Sequence, residues 1–195
     1  MNALLGFRLC TATAAMLFIC TEVWPVAFAT AEQPQPVAIW LKLKANSLNQ
    51  DVCEELGTCE TVWEDLPRMS LHLPDIDDIE ECFPPEFKRE VCLRRLSRGL
   101  YVFSTFLKYL HQHLYATEPH TYFWQQTEKL AQTTKSLMDH PSTLIFPDVN
   151  VAKSVEAVKA AHTGWTPSIL RHLVLRKYIE FMDATARAYF YVKRN

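Results

Sequence analysis

The sequence predicts an all-α fold: a long-chain four-helix bundle with up-up-down-down topology and two long crossover loops. Three observations carry this expectation. Apolar residues recur at three- and four-residue steps over four separate stretches, the spacing of one buried helix face. The connections between those stretches run long, short, long. Only four glycines occur in 195 residues, which argues against a turn-rich all-β chain. A short link forces its two helices antiparallel, whereas a long link lets its flanking helices run parallel.

The elements follow in chain order. Residues 1–29 read as a secretory signal, with Arg8, the apolar run Leu9 to Cys20, and a small-x-small site at Ala27-Phe28-Ala29. Cleavage fits after Ala29 or after Ala31. A membrane anchor fits less well, because the clean run is too short to span and Glu22 and Pro25 interrupt it. Residues 30–195 form the mature domain, opening on a polar leader. The first helix is expected over 36–56, with Val37, Trp40, Leu41, Ala45, Leu48, Val52 and Leu56 close to one face and Gly57 as its C-terminal cap. A long connection over 60–84 holds the acidic cluster Asp75, Asp77, Asp78, Glu80 and Glu81, read as solvated because no twelve-residue calcium loop is present. The second helix, 85–115, carries Leu93, Leu96, Leu100, Phe103, Leu107, Leu110 and Leu114. After a short link the third, 121–139, carries Phe123, Thr127, Leu130, Thr134 and Leu137. A second long connection, 140–165, includes a possible short helix at 151–161. The last helix opens with Thr166 as cap and Pro167 at its first position. It continues to about 193 with Val174, Tyr178, Phe181, Thr185, Ala188 and Val192 at core spacing.

Charge and composition exclude several functions. Twenty basic residues face 22 acidic ones, for a net charge of −2, and the basic residues are not gathered into one run. Neither nucleic-acid binding nor membrane insertion is expected. No Gly-rich phosphate loop, nucleophile elbow or HExxH occurs. His111 and His113 are two apart and point to different sides of a helix, a poor metal pair. No cofactor and no metal are therefore expected, and no enzyme activity.

Cys10 and Cys20 leave with the signal, so Cys53, Cys59, Cys82 and Cys92 remain, an even number in an oxidising compartment. Three pairings are possible. Local pairing, 53–59 and 82–92, is favoured because a long loop separates the two pairs. A zinc site would need C-x2-C spacing or a partner histidine pair, and neither is present.

The stretch from Cys82 to Leu107 reads C-x9-C-x6-G-L-x2-[FY]-x3-L, filled by Cys82, Cys92, Gly99, Leu100, Phe103 and Leu107. By this pattern the chain resembles the interleukin-6 and granulocyte colony-stimulating factor family. The two cysteine spacings match the family's two local disulfides. Leu71-His72-Leu73-Pro74 is similar to a Leu-Asn-Leu-Pro segment of the family's first crossover. The run His172-Leu173-Val174-Leu175-Arg176 is similar to the His-Leu-Ile-Leu-Arg run of the interleukin-6 branch, in a divergent vertebrate or a virally captured form.

The resemblance implies a secreted cytokine that binds and clusters cell-surface receptors. Its partners would be an interleukin-6-type specificity receptor and a gp130-type signalling receptor. The outcome would be JAK/STAT signalling in immune and acute-phase responses. Three surfaces are implied. Phe83 and Phe87 match two aromatics of the first, and Arg187 matches its first arginine. Its second arginine falls at Phe190, a departure that bears on whether the specificity receptor is needed. Trp165 and Leu66 match the third surface, although Arg68 and Met69 replace the polar residues of its rim. Trp40 aligns with an aromatic of the second surface.

Blander roles compete at each position. Trp165 could plug the core at a loop–helix junction, and Trp40 is a residue type more often buried than displayed. Arg187 could only complement the C-terminal helix dipole. Phe83 and Phe87 sit in a polar, proline-containing loop where full burial is hard to arrange, which favours an interface. Two alternatives remain: a growth factor like granulocyte colony-stimulating factor, and a secreted helical carrier of an apolar ligand. The carrier would need a void of several hundred cubic ångströms between the helices.

Overall fold

The computed structural model describes residues 33–57, 71–114, 121–161 and 166–194, all within the compact unit Gln33–Asn195. They form α1 (Pro34–Leu56), α2 (Arg89–Leu114), α3 (Thr121–Ser136), α4 (Val151–Ala161) and α5 (Pro167–Arg194), with short 3-10 helices at Ile76–Cys82 and Pro141–Thr143. No strand occurs among the described residues. The signal segment, Cys59, Leu66 and Trp165 lie outside them.

The four long helices and the short one at 151–161 are where the periodicity places them, and the differences have local causes. Helix α2 starts at Arg89 rather than at 85. Residues 83–88 are held in a bend instead, with Phe83 N–H donating to the Glu80 carbonyl and Lys88 N–H to the Glu81 carbonyl. The Pro84–Pro85 bond is cis, and the helical ladder begins only where Cys92 N–H donates to the Lys88 carbonyl at 2.8 Å. Helix α3 stops at Ser136 rather than at 139. Its last turn tightens, with Leu137 and Met138 N–H donating three residues back. The start of α2 then caps it: Arg89 donates to the Leu137 carbonyl at 3.1 Å, and Glu90 accepts from Asp139 N–H at 3.0 Å.

The 3-10 helix Ile76–Cys82 was not expected in the first crossover. The acids read as a solvated cluster build it. Asp75 accepts from Ile76 N–H at 2.7 Å, and its side chain and that of Asp78 each accept from the other's backbone N–H, the latter at 2.9 Å, a reciprocal cap. Asp75 also pairs with Lys177 of α5 at 3.2 Å, and Glu81 with Arg95 of α2 at 2.6 Å. Buried Ile79 and Cys82 turn the segment inward. Cys82 is bonded to Cys92 with the Cα atoms 4.7 Å apart, so the chain entering α2 is tied to its first turn. Cys53 is also disulfide-bonded.

Helix directions follow from cross-helix contacts. Gln35 at the start of α1 donates to the Ala186 carbonyl near the end of α5 at 3.3 Å. Glu55 at the end of α1 pairs with Arg171 at the start of α5. Those two helices are antiparallel. Gly99 of α2 abuts Phe181, and Phe103, one turn on, packs edge-on against Tyr178, so α2 and α5 are antiparallel as well. Ser97 of α2 donates to the Ala131 carbonyl of α3 at 2.7 Å, while Lys108 lies over the Trp124 ring. That pair also runs in opposite senses. Helices α1 and α2 therefore point one way and α3 and α5 the other, the up-up-down-down arrangement.

The bundle interior is filled by large side chains, with Phe103, Phe106, Tyr178 and Phe181 fully buried. Two polar rungs cross it between α3 and α5. The Thr127 hydroxyl donates to the Phe123 carbonyl at 3.1 Å, so it accepts from the Tyr178 hydroxyl at 2.7 Å. The Thr134 hydroxyl donates to the Leu130 carbonyl and accepts from Tyr189 in the same way. A threonine that bonds its own preceding turn keeps an acceptor lone pair for a neighbour. Burial pushes both tyrosines well above the ordinary phenol range, and the threonine bonds only partly offset this.

One expectation is corrected on α1. The buried set is Ala38, Leu41, Ala45, Leu48 and Val52, a strict three-four stripe that leaves Trp40 to one side. Trp40 is 50% exposed rather than part of the core face.

Candidate functional site

The bend between the 3-10 helix and α2 carries two phenylalanines to the far end of α5. Phe83 N–H donates to the Glu80 carbonyl at 3.0 Å and Lys88 N–H to the Glu81 carbonyl at 2.8 Å, which fix the bend together with the disulfide. Phe83 then meets Tyr191 edge-on with ring centroids 6.1 Å apart, and Phe87 meets the same ring at 6.4 Å. Phe190 adjoins Tyr191 at 5.5 Å. Two guanidinium groups flank the row: Arg187 over Phe83 at 5.6 Å, and Arg194 over Phe190 at 5.0 Å. Four residues singled out in the sequence, Phe83, Phe87, Arg187 and Phe190, thus come together around Tyr191.

Tyr191 and Arg194 were missed. The signal for Tyr191 was available: the core stripe of α5 runs through Ala188 and Val192 and leaves 190 and 191 off it. Arg194 carried no such signal, because nothing in its spacing tells a stacked arginine from a solvated one.

Electrostatics shape the upper edge of this surface. Arg187 pairs with Asp183 at 3.4 Å, and Lys42 of α1 holds the same carboxylate at 2.5 Å. The Lys42 hydrogen bond, helped by the Arg187 charge, keeps Asp183 below the usual carboxylate range. Arg187 therefore does more than complement the helix dipole: it is anchored on one side by a carboxylate and laid on a ring on the other. Phe83 and Phe87 are half-buried, whereas Phe190 is 45% exposed.

A second exposed surface lies on α1. Beside Trp40, Ile39 and Leu43 also face outward, at 45% and 62% exposure. Positions 39, 40 and 43 share one side of the helix, so an apolar patch stands where the sequence offered one tryptophan.

Below the two crossovers, over the α2–α5 seam, lies an open groove of about 590 Å³. Arg95, Arg98, Asp78 and Asp148 line it beside Gly99 and Phe181. It is a mixed-charge surface groove, not the apolar interior void a lipid-type carrier would need.

The profile of the Interleukin-6/G-CSF/MGF family matches residues 24–191. Interleukin-6 of Gallus gallus is 30% identical over 161 residues, spanning 82% of this chain and 67% of that one. Interleukin-6 of Mustela putorius furo is 28% identical, spanning 74% and 69%. That of Saimiri sciureus is 28% identical, spanning 77% and 72%. Among solved structures, a crystal structure of a cytokine/receptor complex contains a chain that superimposes with a TM-score of 0.65 at 18% identity. The match covers 80% of this chain and 95% of that one, and shows the shared fold.

Proposed function

The chain belongs to the Interleukin-6/G-CSF/MGF family of helical cytokines, which are signalling proteins and not enzymes, and from that premise we propose that it is secreted and acts by clustering cell-surface receptors. Its partners are an interleukin-6-type specificity receptor and a gp130-type signalling chain. JAK/STAT signalling in immune and acute-phase responses is the outcome. The observation that carries this reading is the aromatic row Phe83–Tyr191–Phe190 with Arg187 laid against it. Interfaces concentrate their energy in tyrosine, tryptophan and arginine anchors of this kind. In this reading the row faces the specificity receptor. The α1 patch around Trp40 faces a signalling chain, and Trp165 and Leu66 serve a third contact.

Secretion rests on the 1–29 signal segment and on family membership. No helix among the described residues is long and apolar enough to cross a membrane. Protein collected from the medium of expressing cells begins at Thr30 or Glu32, by N-terminal sequencing.

The test of receptor activation uses purified mature protein on cells that carry the gp130-type chain, with and without the specificity receptor. A rise in downstream STAT phosphorylation is expected. Silence at saturating concentration, with the protein shown to be helical by circular dichroism, overturns the proposal.

A further inference from the structure

The Phe83–Tyr191–Phe190 row carries a cation at each end, and only one of these sits where the family's pattern puts an arginine. Position 190, where a second arginine would fall, is a phenylalanine. Arg194, four residues further along α5, lies over the ring of that phenylalanine at 5.0 Å. Arg187 and Arg194 are seven residues apart, two turns on one face, or about 10 Å along the axis. An arginine stacked on an aromatic ring loses little further freedom on binding, and its edge still presents paired donors to a carboxylate. Among the described residues Arg194 has no ion-pair partner, whereas Arg187 shares Asp183 with Lys42. Each end of the row therefore keeps one uncompensated positive charge.

We propose that Arg194 supplies the second cation of this surface in place of residue 190, and that the surface fits a partner presenting two carboxylates about 10 Å apart on either side of an apolar side chain. The exposed face of Phe190 receives the apolar group, and the two guanidinium groups take the acids. This rests on the reading above that the row faces a receptor. It adds a specificity-determining residue that register with the family does not indicate.

The test is surface plasmon resonance of the mature protein and four variants against the ectodomain of the specificity receptor. Arg194→Glu is expected to weaken binding about tenfold or more, comparably to Arg187→Glu. Arg194→Lys retains the charge without the planar group and falls between. Lys193→Glu, the same charge change one residue away, shifts affinity by less than about threefold, within what a rim charge contributes. Circular dichroism confirms that each variant is helical. If Arg194→Glu binds as the parent does while Arg187→Glu does not, Arg194 has no such role and the receptor-facing reading survives. If Lys193→Glu loses as much as Arg194→Glu, the effect is diffuse charge and the assignment to Arg194 falls. If the parent itself does not bind, both the reading and this proposal fall.

Discussion

Gly99 offers a sharp test of how α2 and α5 meet. A Cβ built at this position would sit 2.3 Å from Phe181 Cζ, 2.9 Å from Cε2 and 3.1 Å from Cε1. Carbon atoms in contact prefer about 3.5–4.0 Å, so the ring must retreat by about 1 Å or more. Phe181 is buried and packs against Phe103 with centroids 5.2 Å apart, so the ring can give only toward the open groove that it borders with Gly99. Overpacking of this kind costs about 1–3 kcal/mol. Replacing glycine by alanine inside a helix returns about 1 kcal/mol. With the closest approach so short, Gly99→Ala is expected to lose about 1–2 kcal/mol net, or about 2–8 °C in Tm for a chain of this size. Urea unfolding followed by circular dichroism measures it. A paired experiment isolates the cause: in a Phe181→Leu background the collision disappears, and Gly99→Ala becomes neutral or stabilising. Gly57→Ala supplies a contrast. Gly57 caps α1 at φ +74° with nothing within 4 Å of an added Cβ, so its cost of about 1 kcal/mol arises from backbone conformation alone and does not respond to Phe181. A Gly99→Ala variant as stable as the parent, or one whose cost is the same in both backgrounds, refutes this reasoning.

Other expectations follow from the buried polar groups and the bridge. Thr134→Val leaves the Tyr189 hydroxyl buried without its acceptor and costs about 1–3 kcal/mol, while Thr134→Val combined with Tyr189→Phe recovers part of that loss in the same urea assay. Tyr178 and Tyr189 have folded-state pKa values raised above the unfolded one. Their contribution is complete below about pH 10 and is lost as pH rises beyond it, so ultraviolet titration finds these two phenols protonated until the protein unfolds. His172 is buried against Asn49, and that burial, with the Arg176 charge, lowers its pKa. The unfolded chain then binds the proton first, so stability falls as pH drops below about 6.5, and His172→Asn flattens that limb in pH-dependent unfolding. Replacing Cys82 and Cys92 together by serine removes about 2–3 kcal/mol, read from the urea midpoint.

Much of the fold was legible because the periodic stretches are long and the loop lengths differ sharply. The set Leu93, Leu96, Leu100, Phe103 and Leu107 is buried throughout, and helix 151–161 is present over its expected span, with Val151, Val155 and Val158 turned inward. The start of α2 was misplaced because a proline at the head of an apolar run reads as a first helical residue. Two in succession fold into a bend that only the disulfide and the Glu80 and Glu81 carbonyls define. The 3-10 helix escaped because its signal is acidic capping rather than periodicity. Trp40 was placed both in the core stripe and on the second receptor surface; alanine at 38 takes the inward place, and Trp40 is left exposed. At the candidate site, register supplied Phe83, Phe87, Arg187 and Phe190. What register could not supply was the third dimension: that Tyr191 is the ring they share, and that Arg194 folds back over Phe190.

Receptor clustering is tested most directly by the mass of the assembly. The mature protein is mixed with soluble ectodomains of the specificity receptor and the gp130-type chain, separated by size, and weighed by light scattering. Particles holding more than one copy of the signalling chain, formed only when the cytokine is present, are the predicted result. A saturating mixture that yields only free ectodomains, or no particle with more than a single signalling chain, contradicts it.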